Sequence, residues 1–160
     1  MEKPDLSLML GDIKLNIRVG AILEYNGKIL VEKNKKVDFG VITGGRIRTL
    51  ESGQEALIRE IKEELDVNLS KEKFNLHALI ENFFEFNNKT YHELYFVYKA
   101  ELSSDYGIEN GFENKDNDDS KFYWYTTEQF KEQNILPSIL KEIIENKEFK
   151  NYIVNDLNKK

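Results

Sequence analysis

GRIRTLESGQEALIREIKEELDV, residues 45–67, is the stretch on which the fold turns. Within it, REIKEEL sets three glutamates and an arginine in seven positions. Ser52 and Glu55 have the S-x-x-E spacing of a capping box, which predicts a helix from Gly53 to Leu65 with Ser52 as N-cap. At about 100° of rotation per residue, Glu60, Glu63 and Glu64 share roughly one third of the circumference. They lie beside an apolar stripe of Leu57, Ile58, Ile61 and Leu65. Like charges so spaced weaken a helix by about 0.2–0.5 kcal/mol per pair. For the glutamates alone, a solvated helix face is the common explanation. At the edge of a core stripe the other is a divalent cation that relieves the repulsion. Upstream, Gly44 and Gly45, placed before a strand-like Arg46 to Arg48, let the backbone approach a ligand or ion and can offer a carbonyl to a hard metal. Arg59, on the side away from the stripe, can reach back to Glu51 and orient the loop against the helix.

The chain as a whole limits the chemistry. One domain is expected over residues 1–160, with 40% hydrophobic and 32% charged residues. No apolar run approaches a membrane span, and residues 1–10 lack the basic start and apolar stretch of a signal peptide, so the default compartment is the cytoplasm. The absence of cysteine removes disulfides, thiolate nucleophiles and the usual zinc sites, leaving oxygen ligands that favour magnesium, manganese or calcium. A net charge of −6 argues against a nucleic-acid backbone as partner but is compatible with a small polyphosphate held through a metal.

Outward from the helix, residues 13–25 alternate: Ile13, Leu15, Ile17, Val19, Ala21, Leu23 and Tyr25 share one parity against Lys14, Asn16, Arg18 and Glu24. A period of two means a strand with one buried face. Asn26-Gly27 is a type I′ turn signal, so residues 28–33 return as a second strand. A longer hairpin spans residues 74–100 around Asn87-Asn88-Lys89, with neither face of its second arm wholly polar. Residues 103–120, polar and acidic, read as a solvated loop without calcium-loop order, and a strand-like KFYWY follows. Thr126 or Thr127 can cap a short helix through Gln133; Pro137 can open another carrying Ile139, Leu140, Ile143 and Ile144, which the tail at 149–157 extends or follows.

Gly45, Glu51 and the run Arg59-Glu60-Ile61-Lys62-Glu63-Glu64-Leu65-Asp66-Val67 resemble the Nudix box, G-x5-E-x7-R-E-U-x-E-E-x-G-U, where U is aliphatic. Eight of nine specified positions match. The departure is Asp66 in place of the glycine that ends the helix in the left-handed conformation, which aspartate adopts at a cost of about 1 kcal/mol. The resemblance implies an α+β fold of Nudix type over about residues 12–147: an α/β/α sandwich, a mixed sheet flanked by helices, with a C-terminal helical segment.

It further implies metal-dependent hydrolysis of a nucleoside diphosphate linked to another group, by water attack on phosphorus with Mg2+ or Mn2+ assisting. Metal ligands would be Glu60 and Glu64, with Glu63 sharing an ion or a water and the Gly45 carbonyl contributing; Arg59 and Glu51 would complete the catalytic set. Glu64 is the preferred general base, with Glu93 and Glu113 as rivals. By position, Arg18, Lys33, Arg46 and Arg48 are candidates for the phosphates, and Phe39, Phe84, Tyr91 and Trp124 for the base. His77 and His92 read as structural or surface residues. A small-molecule nucleotide is the expected partner, nucleic acid and membrane are not, and dimerisation through the hairpin edges or the C-terminal helix is compatible with the sequence. The other class of reading is a Nudix-like sensor that binds a nucleotide sugar without cleaving it.

Overall fold

In the computed structural model, which describes residues 2–157, nine strands form one mixed sheet. The strands are β1 (Ser7–Leu10), β2 (Ile13–Tyr25), β3 (Lys28–Asn34), β4 (Gly40–Arg46), β5 (Asn75–Phe86), β6 (Lys89–Glu101), β7 (Phe112–Glu113), β8 (Ser120–Thr126) and β9 (Lys150–Asn155). The helices are α1 (Gly53–Leu65), α2 (Thr127–Glu132) and α3 (Leu140–Ile143). Strand order is β7-β8-β3-β4-β2-β6-β5-β9, with β1 paired to β2. The β2–β6 and β5–β9 pairs are parallel and the others antiparallel.

Both hairpins close as their turn residues dictate. Asn26 and Gly27 adopt φ of 52° and 76°, and Asn87 and Asn88 of 50° and 62°, the positive pair a type I′ turn requires. Two apolar layers lie on opposite faces of the sheet. On one, Ala56, Leu57, Ile61 and Leu65 of α1 pack against Val19, Ala21, Leu23, Leu30 and Phe122. On the other, Phe130 of α2 and Leu140 and Ile143 of α3 cover Ile22, Val31, Ile42, Ile80, Tyr95 and Val97. Helices on both faces of a mixed sheet are the sandwich expected.

Three readings change. The polar parity of β2 does not face water: Asn16 is buried, and Arg18 and Ile22 sit on the α2/α3 side, so a strand read as one-faced is covered on both. The two glycines belong to β4 rather than preceding a strand, with Gly44 opposite Gly20 and Gly45 opposite Val19. The C-terminal segment is helical for only one turn at α3; beyond it, β9 adds to the sheet edge where the tail was expected to extend or follow a helix. Tyr152 points inward and Ile153 out, the two-residue period of a strand.

α1 begins and ends as read. Ser52 Oγ accepts from Glu55 N at 3.1 Å, and Asp66 closes the helix at φ 56°, ψ 40°, its N–H donating to the Lys62 carbonyl. Among the described residues, no helix is long and apolar enough to cross a membrane.

Candidate active site

The N-terminal half of α1 turns Arg59 back over the loop that precedes it. Arg59 donates from Nε and Nη2 to both oxygens of Glu51, at 2.8 and 2.9 Å, a bidentate pair whose planar geometry suits guanidinium and carboxylate. Nη2 also donates to the Arg46 carbonyl at 3.1 Å, and Nη1 to Glu60 Oε1 at 2.8 Å. Glu63 Oε2 lies 3.7 Å from Nη1 and is the most exposed of these acids. One cation thus ties the loop, strand β4 and the helix together. Its hydrogen bonds hold the Glu51 carboxyl below the usual carboxylate range and push the guanidinium pKa up.

Glu60 lies against Gly45, its carboxylate in the space a Cβ would fill, so any larger residue there would displace the Glu60 side chain. Burial pushes the Glu60 carboxyl up despite Arg59. Glu64, one turn further on, is buried, at 8% exposure. Its Oε2 accepts from Asn114 Nδ2 at 2.8 Å, while its Oε1 has no hydrogen-bond partner. Burial first, then the neighbouring Glu32 carboxylate, pushes its pKa to about 9.

Asn114 and Glu32 escaped the sequence reading. Residues 103–120 are not a solvated loop throughout: Asn114 is 3% exposed, and Lys115 N donates to the Glu64 carbonyl at 2.9 Å, fastening the segment to the end of α1. Glu32, on the α1 face of β3, accepts from the same Asn114 Nδ2 at 2.9 Å. The signal available in the sequence was parity alone: Glu32 shares it with the buried Leu30.

On the opposite face of the sheet lies a cavity of about 750 Å³, within the range of small-molecule sites. It gathers Arg18, Phe39, Gly45, Arg46, Phe84, Tyr91 and Glu93. Arg18 and Arg46 are register partners on β2 and β4. Like charges directly opposite one another destabilise a sheet, and here acids offset them: Arg18 is 3.7 Å from Glu93 and Arg46 3.7 Å from Asp5. Phe84 stacks on Tyr91 at 4.9 Å, and Phe39 meets Phe86 edge-on at 6.2 Å. Asn82, the cross-strand partner of Glu93, also lines the cavity, with its buried Oδ1 unpartnered. Gly45 belongs both to this lining and to the surroundings of Glu60, so the cavity and the glutamate face meet there.

The remaining candidates are placed elsewhere. Lys33 donates to Gln133 and lines a separate cavity of about 700 Å³, with Glu113 in the same lining. Arg48 lies 3.7 Å from Asp5, and its backbone N–H donates to Glu51. Trp124 donates to the Ile108 carbonyl and packs with the α1 layer. His77 is buried against the Ile143 carbonyl, and His92 is an exposed ring against Phe83.

The donor chemistry fits a hard divalent ion. Glu60 and Glu64 are oxygen donors one turn apart, and the orphaned buried Oε1 of Glu64 is an acceptor in want of a positive partner. No group of three or more acidic or histidine side chains is arranged as a ready coordination set among the described residues, and Glu60 is engaged by Arg59.

The profile of the NUDIX domain matches residues 14–146. Solved structures similar to the chain include the mutator MutT protein of Bacillus halodurans, at TM-score 0.67 and 15% identity over 88% of this chain and 91% of that one. The MutT Nudix hydrolase of Burkholderia pseudomallei aligns at 0.56 and 23%, over 72% and 85%. An ADP-ribose pyrophosphatase of Streptococcus suis aligns at 0.54 and 11%, over 86% and 98%. No curated protein matches. The match over most of the chain, joined to the sandwich and the box on its helix, places this protein in the Nudix family, and it is a Nudix hydrolase.

Proposed function

We propose that this hydrolase cleaves the pyrophosphate bond of a nucleoside diphosphate joined to another group, such as a nucleoside triphosphate or a nucleotide sugar. The observation that carries the reading is the meeting, at Gly45, of a carboxylate face and a nucleotide-sized cavity that holds two arginines and two aromatic pairs. Glu60 and Glu64, with the Gly45 carbonyl and Glu63 at the exposed edge, would hold Mg2+ or Mn2+. Bound there, the ion lowers the pKa of a coordinated water and neutralises phosphate oxygens.

The protein's own contribution is positioning and charge, which phosphoryl transfer mostly requires. Arg59 fixes Glu51 and Glu60 relative to β4. With the ion bound, which favours its charged form, Glu64 would present its open Oε1 as acceptor for the proton of the attacking water. Glu93, held beside Arg18, is the rival for that task from within the cavity; Glu113 lines the Lys33 cavity instead. Arg18 and Arg46 offset the charge of the phosphates, and Phe39, Phe84, Phe86 and Tyr91 give the base apolar surface. Lys33 and Arg48 have no part in this assignment.

The test is a hydrolysis screen over nucleoside triphosphates, nucleotide sugars, ADP-ribose and dinucleoside polyphosphates with Mg2+ or Mn2+. Metal-dependent release of a nucleoside monophosphate or of inorganic phosphate or pyrophosphate from at least one class is the expected result. Tight binding with no turnover on any of them would overturn it.

A further inference from the structure

The box supplies carboxylates from one helix, yet another carboxylate reaches the same place from a different element. Asn114 Nδ2 lies 2.9 Å from Glu32 Oε2 and 2.8 Å from Glu64 Oε2, so the two oxygens are no farther apart than the sum of these distances. The amide cannot be read the other way round, because its Oδ1 accepts from Asp116 N at 2.8 Å. Both N–H donors of Asn114 are thereby committed, one to each carboxylate. Neither Glu32 nor Glu64 has an ion-pair partner among the described residues, whereas Glu51 and Glu60 share Arg59.

A neutral amide does not cancel charge. Two carboxylates brought together away from water repel, and the arrangement asks for a cation near them. Independently of that pairing, Glu64 Oε1 is a buried acceptor with nothing to accept from. Side chains so placed on β3, α1 and the 103–120 segment are held from three directions. Lys115 N on the Glu64 carbonyl and Asn114 N on the Ser120 carbonyl, at 2.9 and 3.0 Å, fix the segment that carries the amide.

The geometry points to Glu32 as a ligand, from outside the box, of the divalent ion that Glu64 helps to hold, with Asn114 as the positioning residue that aligns the two carboxylates. This rests on the proposed function, since it presumes an ion at Glu64. Glu32 is a strand residue with its own backbone support, so it would add a charge to the site that motion of the helix or loop alone does not remove.

Mn2+ titration of the full chain, read by the electron paramagnetic resonance of the free ion, tests this without turnover. Glu32→Gln is expected to weaken Mn2+ binding at least tenfold while leaving the metal-free melting curve near that of the wild type. Glu32→Asp keeps a carboxylate on that strand position with the Asn114 amide intact and is expected to recover at least half of the lost affinity. Should E32Q fold poorly, Asn114→Ala, which leaves both carboxylates but removes the donor that aligns them, is expected to weaken Mn2+ binding at least threefold and carries the test. Wild-type affinity in E32Q, or in N114A where E32Q does not fold, overturns the assignment of Glu32 and leaves the metal-dependent reading standing. A wild-type chain that takes up no Mn2+ overturns both.

Discussion

The two ends of the glutamate cluster solve the same electrostatic problem in opposite ways. At the Arg59 end, Glu51 and Glu60 share one guanidinium through hydrogen bonds of 2.8–2.9 Å, which offsets one of their two charges. At the Asn114 end, Glu32 and Glu64 share an amide and no charge. The first arrangement holds its own cation and braces the loop against the helix, with Glu60 left a share of charge to offer; the second has no positive partner among the described residues. A motif that looks uniform in sequence is therefore divided by function within a single turn of helix.

The largest expected effect breaks the open end. Glu64→Gln should cut turnover by at least about two orders of magnitude, because the site loses a charged oxygen at the reacting centre. Its melting temperature in EDTA should stay level or rise, since an unpaired buried carboxylate is removed. Glu60→Gln should raise stability less, because Arg59 offsets part of the cost of burying its charge. Steady-state assays and calorimetry on the two variants compare the ends directly, and equal stability changes would erase the distinction.

Next comes the brace. Arg59→Ala should destabilise the fold by about 2 kcal/mol, below the full cost of breaking a buried pair because the side chain is partly hydrated. Turnover should fall with it as Glu51 and Glu60 lose their common anchor. An effect confined to KM would instead mark Arg59 as a substrate contact. Acid unfolding sharpens the same point. The Glu51 carboxyl titrates lower in the fold than in the unfolded chain, so its contribution is present above about pH 4.3 and lost as pH falls through its folded value. Glu51→Gln should flatten that part of the stability profile.

How much of this the residues announced differs by region. The box, its cap and the reach of Arg59 to Glu51 were legible because all of them follow from spacing along one helix and its approach loop. The hairpins were legible because Asn26-Gly27 and Asn87-Asn88 carry their own backbone preferences. Glu32 and Asn114 were not, because nothing local distinguishes a strand glutamate that faces a helix from one that faces water. The strand at 150–155 was missed because six residues offer only two inward positions, Tyr152 and Val154, after a stretch with helical spacing. Asn16 and Arg18 have the pattern of a polar strand face, and nothing local in the sequence tells that this face lines a cavity instead of meeting open water.

The smallest effects are at the margin of the helix. Glu63→Gln, at an exposed position where water can replace its oxygen, should lower turnover by about tenfold, less than Glu64→Gln. Asp66→Gly should raise stability by somewhat under 1 kcal/mol in thermal melts, gaining backbone ease at φ 56° and losing the surface pair with Lys62.

The outer wall of the cavity is made last along the chain. Val154, from a strand that reads in steps of two, and Asp156 and Leu157 just past its end complete the lining. A single residue inserted between α3 and β9 would present Ile153 to the interior in place of its neighbours, exchanging the wall without altering a catalytic group. Ligand preference in this architecture can thus be rewritten by a change of phase at the sheet's border, leaving the carboxylates untouched.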